Sequence, residues 1–298
     1  MTQRLTPSTA LLLTVPPLMW AGNAIVGRLV RDDIPPFTLN LLRWVIAFAI
    51  LLPLGAWVLR RSGGMWPHWR RFALLGLLGV GLYNTLQYLA LQTSTPLNVT
   101  LVASSTPLWM LALGAMYFDA KVSRQQLLGA VFSIAGVAVV LARGELSQLL
   151  ELRLVIGDVF MLGATFCWAG YSWLLTRPAE PAAMRSDWAA FLLAQVAMGV
   201  LWSGLFTAGE WAVTDAHIRW SGTLVAALAF VAIGPAVLAY RCWGLGVQRA
   251  GPAVASFFAN LTPLFAALMS TVFLGESPQM YHLLAFALIV AGIVVSSR

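Results

Sequence analysis

The feature that most restricts this chain is a series of apolar stretches, each about 20 residues long and separated by short polar breaks. That is the length a helix needs to cross the hydrocarbon of a bilayer. The expected spans are 9–30, 35–59, 70–92, 97–118, 124–142, 155–177, 186–208, 222–246, 250–274 and 279–297. The fold class expected is therefore an all-α membrane protein of ten transmembrane helices. Composition agrees: 10% of residues are charged, against about 25% in an ordinary soluble domain. The first run, Leu11 to Val30, is too long for a removable signal peptide and reads as the first span. Cys167 and Cys242 both fall inside spans, which favours packing roles over a disulfide or a metal site.

A formal net charge of +7 raises the possibility of nucleic acid as a partner, but the basic residues stand singly or in pairs in the breaks between spans. Topology explains them better. Arg4, Arg60, Arg61, Arg70, Arg71, Lys121, Arg124, Arg177, Arg185, Arg241, Arg249 and Arg298 fall on one side. The other side has Arg28, Arg31, Arg143, Arg153 and Arg219. The positive-inside rule then places both termini in the cytoplasm, for a multi-pass protein of a bacterial inner membrane. Trp57, Trp66, Trp69, Trp211 and Trp220 lie at span ends, as interfacial aromatics do.

The halves of the chain repeat. Pro96 and Thr106-Pro107-Leu108 match Pro252 and Thr262-Pro263-Leu264 without a gap, and the same offset carries Ala135-Gly136-Val137 onto Ala291-Gly292-Ile293. Trp20-Ala21-Gly22 recurs as Trp168-Ala169-Gly170 at a slightly shorter offset. Two five-helix units are expected, 9–142 and 155–297. Five is odd, so the second copy enters the membrane from the opposite side. Inverted repeats suit alternating access, because the halves can exchange conformations around one central site.

These features, with Phe273-Leu274-Gly275-Glu276 after the ninth span, make the chain similar to the EamA group of the drug/metabolite transporter superfamily. By overall similarity it most resembles the YddG-type bacterial exporters of aromatic amino acids. The resemblance covers essentially the whole chain and implies export of amino acids or related metabolites. In the first repeat the Gly-Glu position reads Asp119-Ala120, so a role for Glu276 need not be duplicated.

A polar group inside a span is costly and faces a neighbouring helix or a water-filled cavity. Trp20 and Asn23 share a face of the first span, and Tyr83, Asn84, Gln87 and Tyr88 form a polar stripe on the third. The second half supplies Trp168, Tyr171, Tyr240, Trp243 and Asn260. At the repeat offset Asn84 matches Tyr240 and Gln87 matches Trp243, so a pocket built from these positions is asymmetric. Aromatic faces with a few amides suit a small amphipathic solute. Taken singly, such a residue is more often interhelical glue than a ligand. Trp109, Trp173 and Trp202 are read as lipid-facing or packing residues.

Pro107 and Pro263 interrupt the fourth helix of each repeat, and Pro16-Pro17 the first span. Each break reads either as a hinge with a substrate-facing carbonyl or as a static kink satisfied by neighbours, with Ser104, Ser105 and Ser256 near enough to help. Gly129, Ser133 and Gly136 in span five, and Ala285, Ala291 and Gly292 in span ten, are spaced for close helix packing or a dimer contact.

Arg43 and Asp158 are the intramembrane charges, at similar depths. Arg43 either pairs with Asp158, holds a substrate carboxylate, or snorkels to the interface. No carboxylate falls at the midplane, so the expectation is facilitated movement down a gradient, or coupling through a group that the sequence does not identify. An enzyme acting on lipid is disfavoured, because His68, His217 and His282 are solitary and no phosphate-cradling glycine loop is present. The single Arg43 argues against phosphorylated cargo and the lack of a buried acid against a cationic drug. What remains is a neutral or zwitterionic solute with an apolar side chain. The expected partners are that small molecule and the bilayer, with no nucleic acid and no cofactor; a monomer is compatible with the sequence, which does not set the oligomeric state.

Overall fold

The computed structural model describes residues 5–94, 96–145, 147, 155–274 and 279–298. Gly275 and Glu276 of the signature stretch lie outside them. The first half contains α1 (Pro7–Leu29), α2 (Pro36–Gly55), α3 (Trp69–Leu75), a π-helical segment Gly76–Leu82, α4 (Tyr83–Thr93), α5 (Pro96–Ala103), α6 (Thr106–Tyr117) and α7 (Arg124–Leu141). The second half contains α8 (Ile156–Leu174), α9 (Ala182–Ser186), α10 (Trp188–Val213), α11 (Gly222–Val231), a π segment Ala232–Leu238, α12 (Ala239–Ala250), α13 (Pro252–Ala259), α14 (Thr262–Leu274) and α15 (Met280–Ser296).

Polar caps set where the apolar runs begin. Thr6 accepts from the Thr9 amide at 3.3 Å, and Ser123 and Gln126 close a reciprocal capping box at 3.0 and 3.1 Å. Among the described residues, 8 helical stretches are long and apolar enough to span a bilayer, from Pro7–Gly27 to Pro252–Met269. The 19-residue α8 and the 17-residue α15 stand where the sixth and tenth spans are expected. The protein is all-helical, and helix packs on helix throughout the described residues.

Irregular backbone recurs at matching positions of the two halves. The π segment Gly76–Leu82 maps onto Ala232–Leu238 at the offset that carries Pro107 onto Pro263. The break between α5 and α6 maps in the same way onto the break between α13 and α14. Packing joins the halves: α1 lies on α12 and α4 on α8, while α2 packs on α10, α6 on α13 and α7 on α15. Each pairing joins one half to the other, so neither half forms a separate core.

The α7–α15 contact uses its small residues within one chain. A methyl group added at Gly129 would stand 2.7 Å from the Gly292 carbonyl oxygen, and one at Gly136 2.9 Å from the Ala285 carbonyl oxygen. The helices therefore meet backbone to backbone, as small-residue interfaces in membranes do.

Two buried carboxylates lock opposite ends of the bundle. Glu210 of α10 accepts from the Phe37 and Thr38 amides, each at 3.0 Å, and so caps the start of α2. At the end that carries Leu5 and Arg298, Glu180 bridges Arg71 at 2.6 Å and Arg185 at 2.7 Å. Burial alone would raise the Glu180 pKa. The Ala179 amide and the two guanidinium groups outweigh it and hold the carboxyl below its ordinary value.

Gly129→Ala should lower the thermal midpoint in detergent, at a cost of about 1–3 kcal/mol. Gly204→Ala, where an added methyl meets nothing within 4 Å, should leave the midpoint unchanged or raise it. Because the folded pKa of Glu180 is depressed, its stabilisation is present above the unfolded carboxyl value of about 4.3 and is lost as pH falls. Thermal scans should therefore show wild type losing more stability than Glu180→Gln between neutral pH and the acid range.

Candidate functional site

Helix breaks and aromatic side chains together enclose a cavity of about 230 Å³. Its walls are α1, the start of α2, α4, α8 at Trp168, the later part of α5 with the α5–α6 break, and the α13–α14 break. Arg31, Gln92 and Ser94 line its mouth, at the end opposite the termini, and Trp20, Trp168 and Asn260 line its floor. Arg31 and Gln92 are exposed whereas Trp168 is only 2% exposed, so the cavity opens at the Arg31 end and is blind at the other.

Trp168 of α8 is the centre of the floor. Its ring centroid lies 5.2 Å from Trp20, 4.7 Å from Tyr83, 5.1 Å from Tyr171, and 5.3 Å from both Tyr240 and Trp243. Trp20, Asn23, Tyr83, Asn84, Gln87, Trp168, Asn260 and Pro263 all line the cavity. Tyr171, Tyr240 and Trp243 do not. They lie behind Trp168 as a second aromatic layer, with the Trp243 indole donating to the Ser172 hydroxyl at 3.0 Å. The closeness of Trp20 to these rings follows from α1 packing on α12, a contact that spacing along the chain cannot reveal.

The backbone irregularities around the site are satisfied locally. Pro107 and Pro263 leave the carbonyls of Ala103 and Ala259 without their helical donors. The hydroxyl of the preceding threonine takes each one, Thr106 to Ala103 at 2.6 Å and Thr262 to Ala259 at 2.7 Å. These carbonyls are thus bonded across the breaks, α6 to α5 and α14 to α13. Pro263 lines the cavity and Pro107 is buried in the bundle. In the first π segment Asn40 donates to the Val80 carbonyl at 3.1 Å, and the Tyr240 hydroxyl donates to the Gly79 carbonyl. Gly79 must lack a side chain, since a methyl group there would stand 2.7 Å from the Tyr171 ring.

Arg43 differs from two of its sequence readings. It is 0% exposed, so it does not snorkel. Its Nη1 donates to Asn84 Oδ1 at 3.0 Å, to the Tyr88 hydroxyl at 3.1 Å and to Asn23 Oδ1 at 3.4 Å. No ion pair joins it to Asp158 among the described residues. Asp158 is engaged at the start of its own helix instead, where it accepts from the Val155 amide at 2.8 Å and from the Ser94 hydroxyl. Depth along two spans placed these residues at the same level, but their helices present them to different neighbours.

The groups left facing the cavity are mostly donors. Among the described residues the Trp20 and Trp168 indole N–H groups, the Tyr83 hydroxyl and the Gln87 amide have no hydrogen-bond partner. Asn260 donates to the Ser133 hydroxyl at 2.8 Å, which leaves its oxygen for the cavity. Tyr88, which also lines the wall, belongs to the polar stripe of the third span and joins the Arg43 network. Leu39, Ala103 and Gly27 line the wall too, and as small or apolar residues they carry no sequence signal.

The sequence profile of the EamA-like transporter family matches residues 7–142 and 155–298. The chain belongs to that family. It is 26% identical over 292 residues to an uncharacterized transporter of Archaeoglobus fulgidus, covering 97% of each chain. It is 26% identical to the aromatic amino acid exporter YddG of Ancylobacter novellus, over 94% of this chain and 93% of that one. A probable amino-acid metabolite efflux pump of Salmonella typhimurium is 25% identical, over 96% and 93%. A solved crystal structure with 22% identity superposes with a TM-score of 0.75, over 98% of this chain and 96% of the other. The molecule is thus a multi-pass membrane protein of a metabolite-transporter family.

Tyr240→Phe removes the donor to Gly79 and the acceptor for Asn84, and should cost about 1–3 kcal/mol. Tyr83→Phe removes a hydroxyl with no protein partner, so thermal unfolding in detergent should separate the two variants, with Tyr83→Phe near wild type.

Proposed function

We propose that the protein is an exporter or facilitator of small amphipathic metabolites, above all aromatic and other large apolar amino acids. The observation that carries this reading is the floor of the cavity: edge-on and tilted rings clustered around Trp168, unpartnered donors beside them, and no carboxylate among the described lining residues. Rings hold an apolar side chain by face and edge contacts while a few polar groups fix its orientation. The names of the YddG exporter and the amino-acid metabolite efflux pump support the same substrate class.

The cavity of about 230 Å³ lies below the 300–1,000 Å³ usual for drug-sized ligands, which favours an amino acid over a drug. On this reading the direction of net transport is set by the substrate gradient. The excess of basic residues at the terminal end assigns that end to the cytoplasm, so the open mouth faces outside. The two repeats, 9–142 and 155–297, exchange conformations to open the same floor inward. With no acid lining the cavity among the described residues, movement follows the substrate gradient rather than a proton gradient.

Counterflow of labelled tryptophan or phenylalanine in liposomes holding the purified protein tests this. Wild type should exchange both, with little change when a pH gradient is imposed. Trp168→Ala and Tyr83→Ala, still folded, should lose on the order of tenfold or more, as expected when ring contacts are removed from a buried site. A folded wild type that exchanges no member of an amino acid panel overturns the substrate class.

A further inference from the structure

We infer that Arg43 is the specificity-determining residue of the cavity, selecting solutes that carry a carboxylate over otherwise identical amines. The inference rests on the transport reading above and names the group within its substrates that is read.

Arg43 is fully buried, its Nε has no hydrogen-bond partner, and no carboxylate pairs with it among the described residues. A buried guanidinium stays protonated, and its charge is costly when nothing opposes it. The charge therefore acts on whatever occupies the cavity next to it. Asn23, Asn84 and Tyr88 are both its hydrogen-bond partners and cavity-lining residues, so one layer of side chain separates it from the solute.

That layer is also oriented by Arg43. The oxygens of Asn23 and Asn84 both point to Nη1, so the N–H₂ ends point away from it. Asn84 spends its N–H₂ on the Tyr240 hydroxyl at 3.3 Å, whereas that of Asn23 has no partner among the described residues. The wall thus offers a carboxylate an oriented donor backed by a full positive charge, and it offers an ammonium group repulsion. At about 6 Å and an effective dielectric near 20, one unit charge changes affinity on the order of 100-fold. The Asp158 carboxylate near the mouth is engaged by Ser94 and by the start of α8, which reduces its opposing field.

The test compares phenylalanine, 3-phenylpropionate and phenethylamine, which share the ring and differ in charge. Binding is read from ligand-dependent thermal shifts of the purified protein, and transport from counterflow. In wild type the two carboxylates should bind at least about tenfold more tightly than the amine, scaled down from the Coulomb value for solvent and relaxation. Arg43→Gln should close most of that gap while Arg43→Lys keeps it, an outcome that a merely structural role would not give. Should Arg43→Gln fail to fold, Asn23→Asp neutralises the charge with an adjacent carboxylate and should close the gap as well. Equal affinity of wild type for all three ligands, a gap that survives both Arg43→Gln and Asn23→Asp, or no carboxylate binding at all would overturn the inference. Selective binding without counterflow would overturn the transport reading and leave the role of Arg43 standing.

Discussion

In hydrocarbon, each backbone N–H and C=O must find its partner within the protein, and the rest of this structure depends on how that requirement is met where the helices are irregular. A straight bundle would satisfy it trivially and leave no room for a ligand. Here the chain breaks at α5–α6 and α13–α14 and widens into π segments at 76–82 and 232–238. Thr106, Thr262, Asn40 and Tyr240 take carbonyls at these places. Of these side chains, Thr106 and Thr262 also line the cavity.

Packing and chemistry are divided between the helices accordingly. The α7–α15 pair meets through glycines at backbone distance and carries little polar chemistry beyond Ser133, which anchors Asn260 at 2.8 Å. The helices that surround the cavity carry the aromatic layers and the buried guanidinium. Tyr240 belongs to both tasks, since its hydroxyl holds Gly79 and accepts from Asn84 while its ring backs Trp168. A single residue of the second repeat thereby links backbone integrity in the first repeat to the position of the floor.

The helical membrane fold was legible in the sequence. Apolar run length dictates a spanning helix whatever its neighbours, and in each Thr-Pro-Leu the threonine hydroxyl takes the carbonyl that the proline leaves free. Residues marked by aromatic or amide character on α1, α4 and α8 were legible as site candidates for the same reason: such groups need a partner or a cavity. Tyr171, Tyr240 and Trp243 carried the same signal yet stand one layer back, because a spacing rule gives the face of a helix and not what lies opposite it.

The amino-acid sequence by itself therefore determined the solvent, the helices and the set of side chains that must be buried with partners. Tertiary structure alone decided which partners they have. Arg43 and Asp158 match in depth, but packing turns one toward Asn23, Asn84 and Tyr88 and the other toward Ser94 and its own helix start. The α1–α12 and α4–α8 contacts bring together residues far apart in the chain, and only they make one floor of Trp20, Tyr83 and Trp168. The physical reason is that local spacing fixes direction about a helix axis, whereas the identity of a neighbour is set by how the two halves pack.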